Sequence, residues 1–329
     1  MENPARILVI RLTAIGDVVL TLPAVSVLRK NFPAAKISFL TTKENAALLR
    51  GFRDVDETIA LDRAIFRSGN PWRMAGEIFR LVRRLRAGKF SLAVDLQGNG
   101  ESAWLTWLTS APQRWGVVHK PSRRRAYTHS TGRQPQLHAA EMHLELLQQC
   151  GLKTDAVHND FCLPPDALDA ARIFFSANQL APEKPTLFFQ PFTSSPAKNW
   201  PLENFLALAG HWRARGGQVI FGGGPADIVA LEPARAAGFV ISAGVPLLVT
   251  GGLMQLSTLT VGGDTGALHL AVAQGRRIVM LMNLNRPGQP HPFRRVEWTL
   301  APVPGRGLAS LSVDAVIAAC AEAVGRQNF

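Results

Sequence analysis

The chain has 329 residues, enough at roughly 150 residues per domain for two cores. Apolar residues make up 47% and charged residues 18%, which excludes an intrinsically disordered chain. Lys and Arg exceed Asp and Glu by 36 to 24, and the net charge of +12 implies an anionic partner: nucleic acid, a phosphorylated sugar or nucleotide, or an acidic membrane surface. Cys150, Cys162 and Cys320 stand far apart without CxxC or zinc spacing, so a reduced cytosolic compartment is expected. No run approaches the ~18 uninterrupted apolar residues that a bilayer span needs. The amino-terminal apolar run, broken by Arg11 and Asp17, lacks a signal-peptide pattern, so peripheral attachment is the membrane mode left open.

In chain order, Ile7 to Leu12 reads as a strand buried on both faces, residues 13–17 as a turn and Val18 to Arg29 as a helix. Strand Lys36 to Thr41, helix Asn45 to Arg50, strand Thr58 to Leu61, helix Trp72 to Arg86 and strand Ser91 to Leu96 follow. Lys120 to Tyr127 is read as a charged loop, either solvated or gripping an acidic group. Glu141 to Cys150 is helical, and a helix between the proline-marked segments 159–165 and 181–185 leads to a domain transition near residue 180. The second half repeats the rhythm: strand Thr186 to Gln190, helix Leu202 to Arg215, strand Gln218 to Phe221, helix Ile228 to Ala237, a segment Leu253 to Thr260, strand residues around Val261, helix Ala267 to Gln274 and strand Arg277 to Met282. Alternation of this kind predicts α/β domains with parallel sheets, at 1–180 and 181–329, with the final helix Val313 to Gly325 free to pack on either.

Chemistry in such folds gathers at the carboxyl ends of strands. Thr13, Gly16 and Asp17 occupy that position after the first strand, where Asp17 is either a helix N-cap or a carboxylate that takes a proton from an alcohol. Asp95 and Gln97, before Gly98 and Gly100, are expected to point into the same cleft. Arg63, Lys120, Arg123, Arg124 and Arg125 offer charge for a phosphorylated or acidic ligand. In the second half, Thr193, Ser194 and Lys198 can cradle a diphosphate. Asp227, after a glycine run, suits a ribose hydroxyl pair or a helix start. Asp264, Thr265 and Gly266 form a tight strand-to-helix turn with His269 five residues beyond Asp264, read as a donor to an anion or as a satisfied helix-surface residue. The run at 11–17 is neither a P-loop nor GxGxxG, which weakens ATP hydrolysis and dinucleotide binding as readings.

Taken as an ordered set, these motifs resemble glycosyltransferase family 9, the heptosyltransferases of lipopolysaccharide core assembly. Gly16-Asp17-Val18 through Thr21-Leu22-Pro23 is similar to that family's Gly-Asp-x-x-x-Thr-Leu-Pro signature, Asp95-Leu-Gln-Gly98 with Ser102 to its acceptor loop, Lys198 with Trp200-Pro201 to its phosphate-facing region, and Asp264-Thr265-Gly266 with His269 to its donor signature. The resemblance implies a GT-B architecture, two Rossmann-like domains with parallel sheets facing across a cleft. It implies an inverting glycosyltransferase with Asp17 as catalytic base. The amino-terminal domain would bind an acidic, lipid-linked glycan acceptor, and the carboxyl-terminal domain a nucleotide-sugar, ADP-heptose. No cofactor or metal is required on this reading, nucleic acid is not expected as a partner, and the protein is placed in the cytoplasm, peripheral at the inner face of the inner membrane. Two features depart from the family pattern: Asp227 where a Glu is common, and the segment Met282 to Pro292. The alternatives are a sugar-nucleotide epimerase or hydrolase on the same architecture, and a non-catalytic nucleotide-sugar- or nucleic-acid-binding protein.

Overall fold

The computed structural model describes residues 4–67, 71–155 and 157–325. They form two compact units, Met1–Phe161 and Cys162–Phe329.

The first unit runs β1 (Arg6–Ile10), α1 (Ile15–Val19), α2 (Leu22–Asn31), β2 (Lys36–Thr42), α3 (Lys43–Ala46), β3 (Glu57–Leu61), α4 (Ala64–Arg67), α5 (Pro71–Ala87), β4 (Leu92–Asp95), α6 (Gly100–Leu108), β5 (Gln113–Val118), β6 (His129–Gly132) and α7 (Ala139–Gln149). Its strands pair in parallel in the order β3-β2-β1-β4-β5-β6. The central β1 is fully buried from Ile7 to Ile10, as a strand covered by helices on both faces must be. The helix expected over 18–29 is divided in two. Pro23 has no N–H to donate to the carbonyl of Val19, so the chain restarts at Leu22 with Pro23 in the first turn. The charged segment after β5 folds as a short 3₁₀ turn, Pro121–Ala126, against α6.

The second unit runs α8 (Pro165–Ala177), β7 (Thr186–Gln190), α9 (Leu202–Arg213), β8 (Gln218–Phe221), α10 (Glu232–Ala236), β9 (Val240–Ile241), α11 (Leu247–Leu256), β10 (Leu259–Gly263), α12 (Gly266–Ala273), β11 (Ile278–Leu281), β12 (Thr299–Leu300) and α13 (Val313–Gly325). The sheet order, β12-β11-β10-β7-β8-β9, is again all parallel. Counted from the first strand of each unit, both sheets have the order 3-2-1-4-5-6 of the Rossmann fold. Phe189, Trp200, Phe205 and Phe221 stack edge-on or tilted in this unit's core, and Trp200 donates its indole N–H to the carbonyl of Leu311 at 2.9 Å.

One expectation is corrected and one open question is answered. The chain divides at 161/162 and not near 180, because α8 packs on α11. The Cβ of Ala171 sits 2.6 Å from where a Cβ on Gly252 would be, so only glycine admits that approach. Of the two units open to it, the final helix α13 packs on the second: Val316, Cys320 and Ala323 are buried in that core with Leu187, Val261 and Val279.

Candidate active site

In a 3-2-1-4-5-6 sheet the strand order reverses between strands 1 and 4, and the loops leaving those two strands part there to make a crevice. The first unit has its reversal between β1 and β4, which places the loop 11–17 beside the loop 96–102. Arg11 joins them. Its Nη1 donates to the carbonyl of Leu96 at 2.6 Å, its Nε to the carbonyl of Thr13 at 3.1 Å, and its Nη2 lies 2.7 Å from Asp17 Oδ2. The N–H of Ala14 donates to the same Oδ2 at 3.1 Å, so both contacts leave Oδ1 of Asp17 out. Asp17 thus sits in the first turn of α1, half-exposed, with its carboxylate aimed by a partly buried guanidinium. Gly16 precedes it in the same turn.

Asp95 does not open onto the crevice as the sequence reading expects, and Gln97 gives its carbonyl oxygen to the backbone. Asp95 is fully buried: Oδ1 accepts the N–H groups of Gln97 and Gly98 at 2.8 and 3.0 Å, and Oδ2 accepts the Tyr127 hydroxyl at 2.6 Å. Burial pushes its carboxyl above the ordinary range against those hydrogen bonds. Burial, with the adjacent Asp95, raises the Tyr127 phenol in turn. Gln97 Oε1 accepts from the N–H groups of Leu12 and Thr13 at 2.7 and 3.3 Å. Both residues build the loops and hold Asp17's scaffold. A carboxyl group buried this deeply must have its lone pairs met by hydrogen bonds, and the loop N–H groups and the Tyr127 hydroxyl supply them.

Positive charge collects around this crevice. Arg123 Nη1 donates to the carbonyl of Gly98 at 3.1 Å, and Arg63 pairs with Glu101 at 3.0 Å. Arg124 and Arg125 are exposed on the same 3₁₀ turn as Arg123, and exposed Lys120 immediately precedes it. His119 is held below its ordinary pKa by burial and then by the charges of Arg133, Arg11 and Arg123. Three residues to which the sequence reading assigns no role therefore belong here: Arg11, at the head of the candidate run, with His119 and Arg133. His143 of α7 is a fourth. Fully buried, it donates from Nε2 to the Leu96 carbonyl at 2.9 Å, and burial, helped by Arg11, pushes its pKa down to about 3, so it serves as a neutral prop.

The second unit reverses strand order between β7 and β10, and the corresponding loops are 191–201 and 264–266. Lys198 Nζ lies 3.3 Å from Asp264 Oδ2, and His269 Nε2 donates to Asp264 Oδ1 at 3.2 Å. Burial works against the charged form of Asp264, but the His269 hydrogen bond and the Lys198 ammonium outweigh it and hold the carboxyl below its ordinary range. His269 is buried in α12 and not on the helix surface, and the anion it faces is the Asp264 carboxylate of its own chain. Thr265 caps α12, its hydroxyl accepting from the Leu268 N–H at 3.4 Å. The N–H of Gly266 opens the helix, a donor of the kind that receives phosphate oxygens.

Thr193 is also turned inward. Its Oγ1 lies 2.9 Å from Asn199 Oδ1 and from the Ser195 carbonyl, and it accepts the Ser195 N–H at 3.2 Å. This ties the loop that carries exposed Ser194 and Lys198. A Cβ on Gly263 would stand 2.4 Å from Thr193 Cγ2, so the two loops approach closely only because β10 ends in glycine. Asp227 caps a 3₁₀ turn, accepting the Gly224 N–H on Oδ2 at 2.8 Å. Among the described residues no three His, Cys, Asp or Glu side chains group as a metal site.

Two Rossmann units in tandem are the composition of the GT-B glycosyltransferase fold. The solved glycosyltransferase of family 9 from Veillonella parvula superposes with a TM-score of 0.89 at 24% identity, over 99% of each chain. The Escherichia coli heptosyltransferase WaaC, solved with ADP, superposes at 0.79 and 21% identity over 97% of this chain and 99% of that one. The model of glycosyltransferase family 9 (heptosyltransferase) matches residues 78–297, and the chain belongs to that family. The lipopolysaccharide heptosyltransferase 1 of Pseudomonas aeruginosa is 27% identical over 299 residues, covering 86% of this chain and 80% of that protein. The protein is accordingly a glycosyltransferase of family 9.

Proposed function

We propose that the protein transfers heptose from ADP-heptose, with inversion, to an acidic, lipid-linked lipopolysaccharide-core acceptor. The observation that carries this reading is Asp17: a half-exposed carboxylate at a strand-order reversal, oriented through one oxygen by Arg11 and the Ala14 N–H. The names of the similar proteins supply the sugar, and the WaaC structure with ADP supplies the nucleotide.

On this reading the amino-terminal unit binds the acceptor, its acidic groups met by Arg63, Lys120 and Arg123 to Arg125. Asp17 accepts the proton of the acceptor hydroxyl as that oxygen attacks the anomeric carbon. The bond from the anomeric carbon to the phosphate oxygen breaks, and its electron pair leaves with ADP. In the carboxyl-terminal unit, Lys198 and the Thr265–Gly266 turn stabilise the charge gathering on the diphosphate, and Asp227 meets the ribose. Such fixed donors act without the reorganisation that water would need. Placement at the cytoplasmic face of the inner membrane follows from a lipid-linked acceptor, and no helix among the described residues is long and apolar enough to cross a membrane.

A panel of nucleotide-sugars incubated with and without lipid A-core acceptors tests the reading. Acceptor-dependent release of ADP from ADP-heptose, with a product of inverted anomeric configuration, is the expected result. Turnover of the donor equally fast without acceptor would turn the assignment to a hydrolase or epimerase.

A further inference from the structure

We propose that the outward faces of α5 and α6 form a docking surface for an anionic lipid bilayer. The two helices pack side by side on one face of the first sheet, burying Leu81, Leu85 and Leu105 in one cluster with Leu8 and Ile10 of β1. Their other faces are turned away from that core. Trp72 and Phe79 of α5 are 86% and 70% exposed, and Trp104 and Trp107 of α6 are 45% and 55% exposed. Every strongly exposed large aromatic side chain among the described residues is on these two helices. Chance scatter of surface apolar groups does not concentrate Trp in this way.

Charge accompanies the aromatics. α5 carries Arg73, Arg80, Arg83, Arg84 and Arg86 against one carboxylate of its own, Glu77, which pairs with Arg80, while Glu57 of β3 pairs with Arg84. A shallow groove of about 390 Å³ runs over Gly76 between Phe79 and the Arg83 and Arg84 side chains. An apolar ring beside guanidinium groups matches the boundary between acyl chain and headgroup phosphate, where Trp and Phe insert and Arg meets lipid charge. The basic 3₁₀ turn at 121–126 packs on α6, so the charge extends to the acceptor crevice of the same unit. Single-stranded nucleic acid also uses aromatic and basic residues, but stacks its bases on platforms within a groove. Here only Phe79 lines the groove, and Trp72, Trp104 and Trp107 stand outside it on the outward sides of two adjacent helices. The assignment rests on the lipid-linked acceptor proposed above for its purpose.

The test uses the full chain and two sets of sucrose-loaded vesicles, phosphatidylcholine alone and phosphatidylcholine with about one-third phosphatidylglycerol. The parent is expected to sediment with the anionic vesicles and to be released by salt. Trp72→Ser with Phe79→Ser, and separately Arg83→Gln with Arg86→Gln, should each weaken that partition about tenfold or more. Their thermal transition and ADP affinity should stay at the parent's values, because these side chains lie outside the core and the candidate site. Vesicle binding requires neither donor nor acceptor, so its failure is distinguishable from failure of the proposed transfer. Parent protein that ignores anionic vesicles, or two folded double variants that bind them like the parent, would overturn the surface. So would salt-sensitive capture of single-stranded DNA, or self-association through these residues, in place of vesicle binding.

Discussion

Arg11 Nη2 stands 2.7 Å from Asp17 Oδ2, and the other nitrogens of the same guanidinium hold the carbonyls of Leu96 and Thr13. One planar fork thus aims the carboxylate and locks the loop after β1 to the loop after β4. Gln97 repeats the tie from the other side through the Leu12 and Thr13 N–H groups. The catalytic reading of Asp17 depends on this bracing, since a carboxylate in a half-exposed first turn would otherwise sample several rotamers.

Arg11→Lys keeps the charge and loses the fork. A lysine ammonium is a compact point charge and cannot reproduce three diverging contacts in the guanidinium plane. The expected outcome is a fall in kcat of about 10²-fold, the scale set by a displacement of about 1 Å in a reacting group. KM for the nucleotide-sugar should change little. Steady-state kinetics on the purified variant distinguishes the two parameters, and an unchanged kcat would show that Asp17 needs no such support.

The strands β1 and β7, which carry site loops, are legible in the sequence because they are uninterrupted apolar runs, and Ile7 to Ile10 and Thr186 to Phe189 are buried through their length; the strand order that brings their loops beside those of β4 and β10 is not legible there. β5 was hidden by its polar start at Gln113-Arg114, and β6, His129–Gly132, has no β-branched run to reveal it. The helix α6 begins inside a glycine- and asparagine-rich stretch that reads as loop. Its signal was present in Asn99 and Ser102, which cap each other reciprocally at 2.8 and 3.1 Å. The residue types in the site were legible, but the partners they spend themselves on were not. Nothing local says that Tyr127 reaches back to Asp95, or that His143 props Leu96, because each pairing spans the sheet topology. The domain boundary was misplaced for a related reason. Two proline clusters flank α8, and only its packing on α11 shows that the earlier one is the junction.

The Asp95–Tyr127 pair gives a second expectation. A Cβ on Gly116 would lie 2.3 Å from the Tyr127 ring, so Gly116→Ala must displace the ring from its bond to Asp95. Tyr127→Phe removes the donor without the clash. Leaving a buried carboxylate oxygen without its partner costs about 1–3 kcal/mol, and Gly116→Ala should exceed Tyr127→Phe because overpacking adds to that loss. Urea denaturation of both variants measures the order. Equal stability of all three proteins would mean that the carboxylate finds another donor.

Lys198 and Thr265 separate charge from capping at the second reversal. Lys198→Ala removes the ammonium that would meet the diphosphate, at a cost of roughly 1.5–3 kcal/mol in ADP affinity, or about tenfold to a hundredfold. Because this side chain is about half exposed, its pair with Asp264 should contribute little to folding. Thr265→Ala should weaken ADP binding less and lower stability more, since it removes the cap of α12. Calorimetric titration with ADP, beside thermal melts, reads both effects. If neither variant binds ADP more weakly than the parent, the diphosphate site lies elsewhere.

Asp264 supplies a pH dependence. Its carboxyl is held below the ordinary range in the folded chain, with His269 and Lys198 overcoming the penalty of burial. A depressed folded-state value means that the unfolded chain binds the proton more readily as pH falls. The stabilisation is therefore complete above the ordinary carboxylate pKa of about 4 and is lost as pH falls through the lower, folded value. Asp264→Asn removes this contribution. The stability gap between parent and variant should be full at about pH 7 and narrow below about pH 4 in denaturant titrations. A gap that stays constant down to about pH 3 would assign the effect of Asp264 to packing.

Asp17→Asn is the most direct test of the proposed chemistry. The substitution preserves size and keeps an oxygen that can accept from Arg11 and the Ala14 N–H, so the thermal transition should stay close to the parent's. It removes the group assigned to take the acceptor proton, and loss of a general base costs about 10²–10⁴-fold in rate. Donor affinity should survive, because the residues assigned to the nucleotide-sugar belong to the second unit. Single-turnover transfer from ADP-heptose, measured beside ADP binding and thermal melts, separates the possibilities. Transfer at the parent's rate would remove Asp17 as the base. Collapse of ADP binding together with the thermal transition would return it to the role of a helix cap. Transfer slowed at least about a hundredfold, with binding and folding intact, is the result that the orientation of this carboxylate by Arg11 leads us to expect.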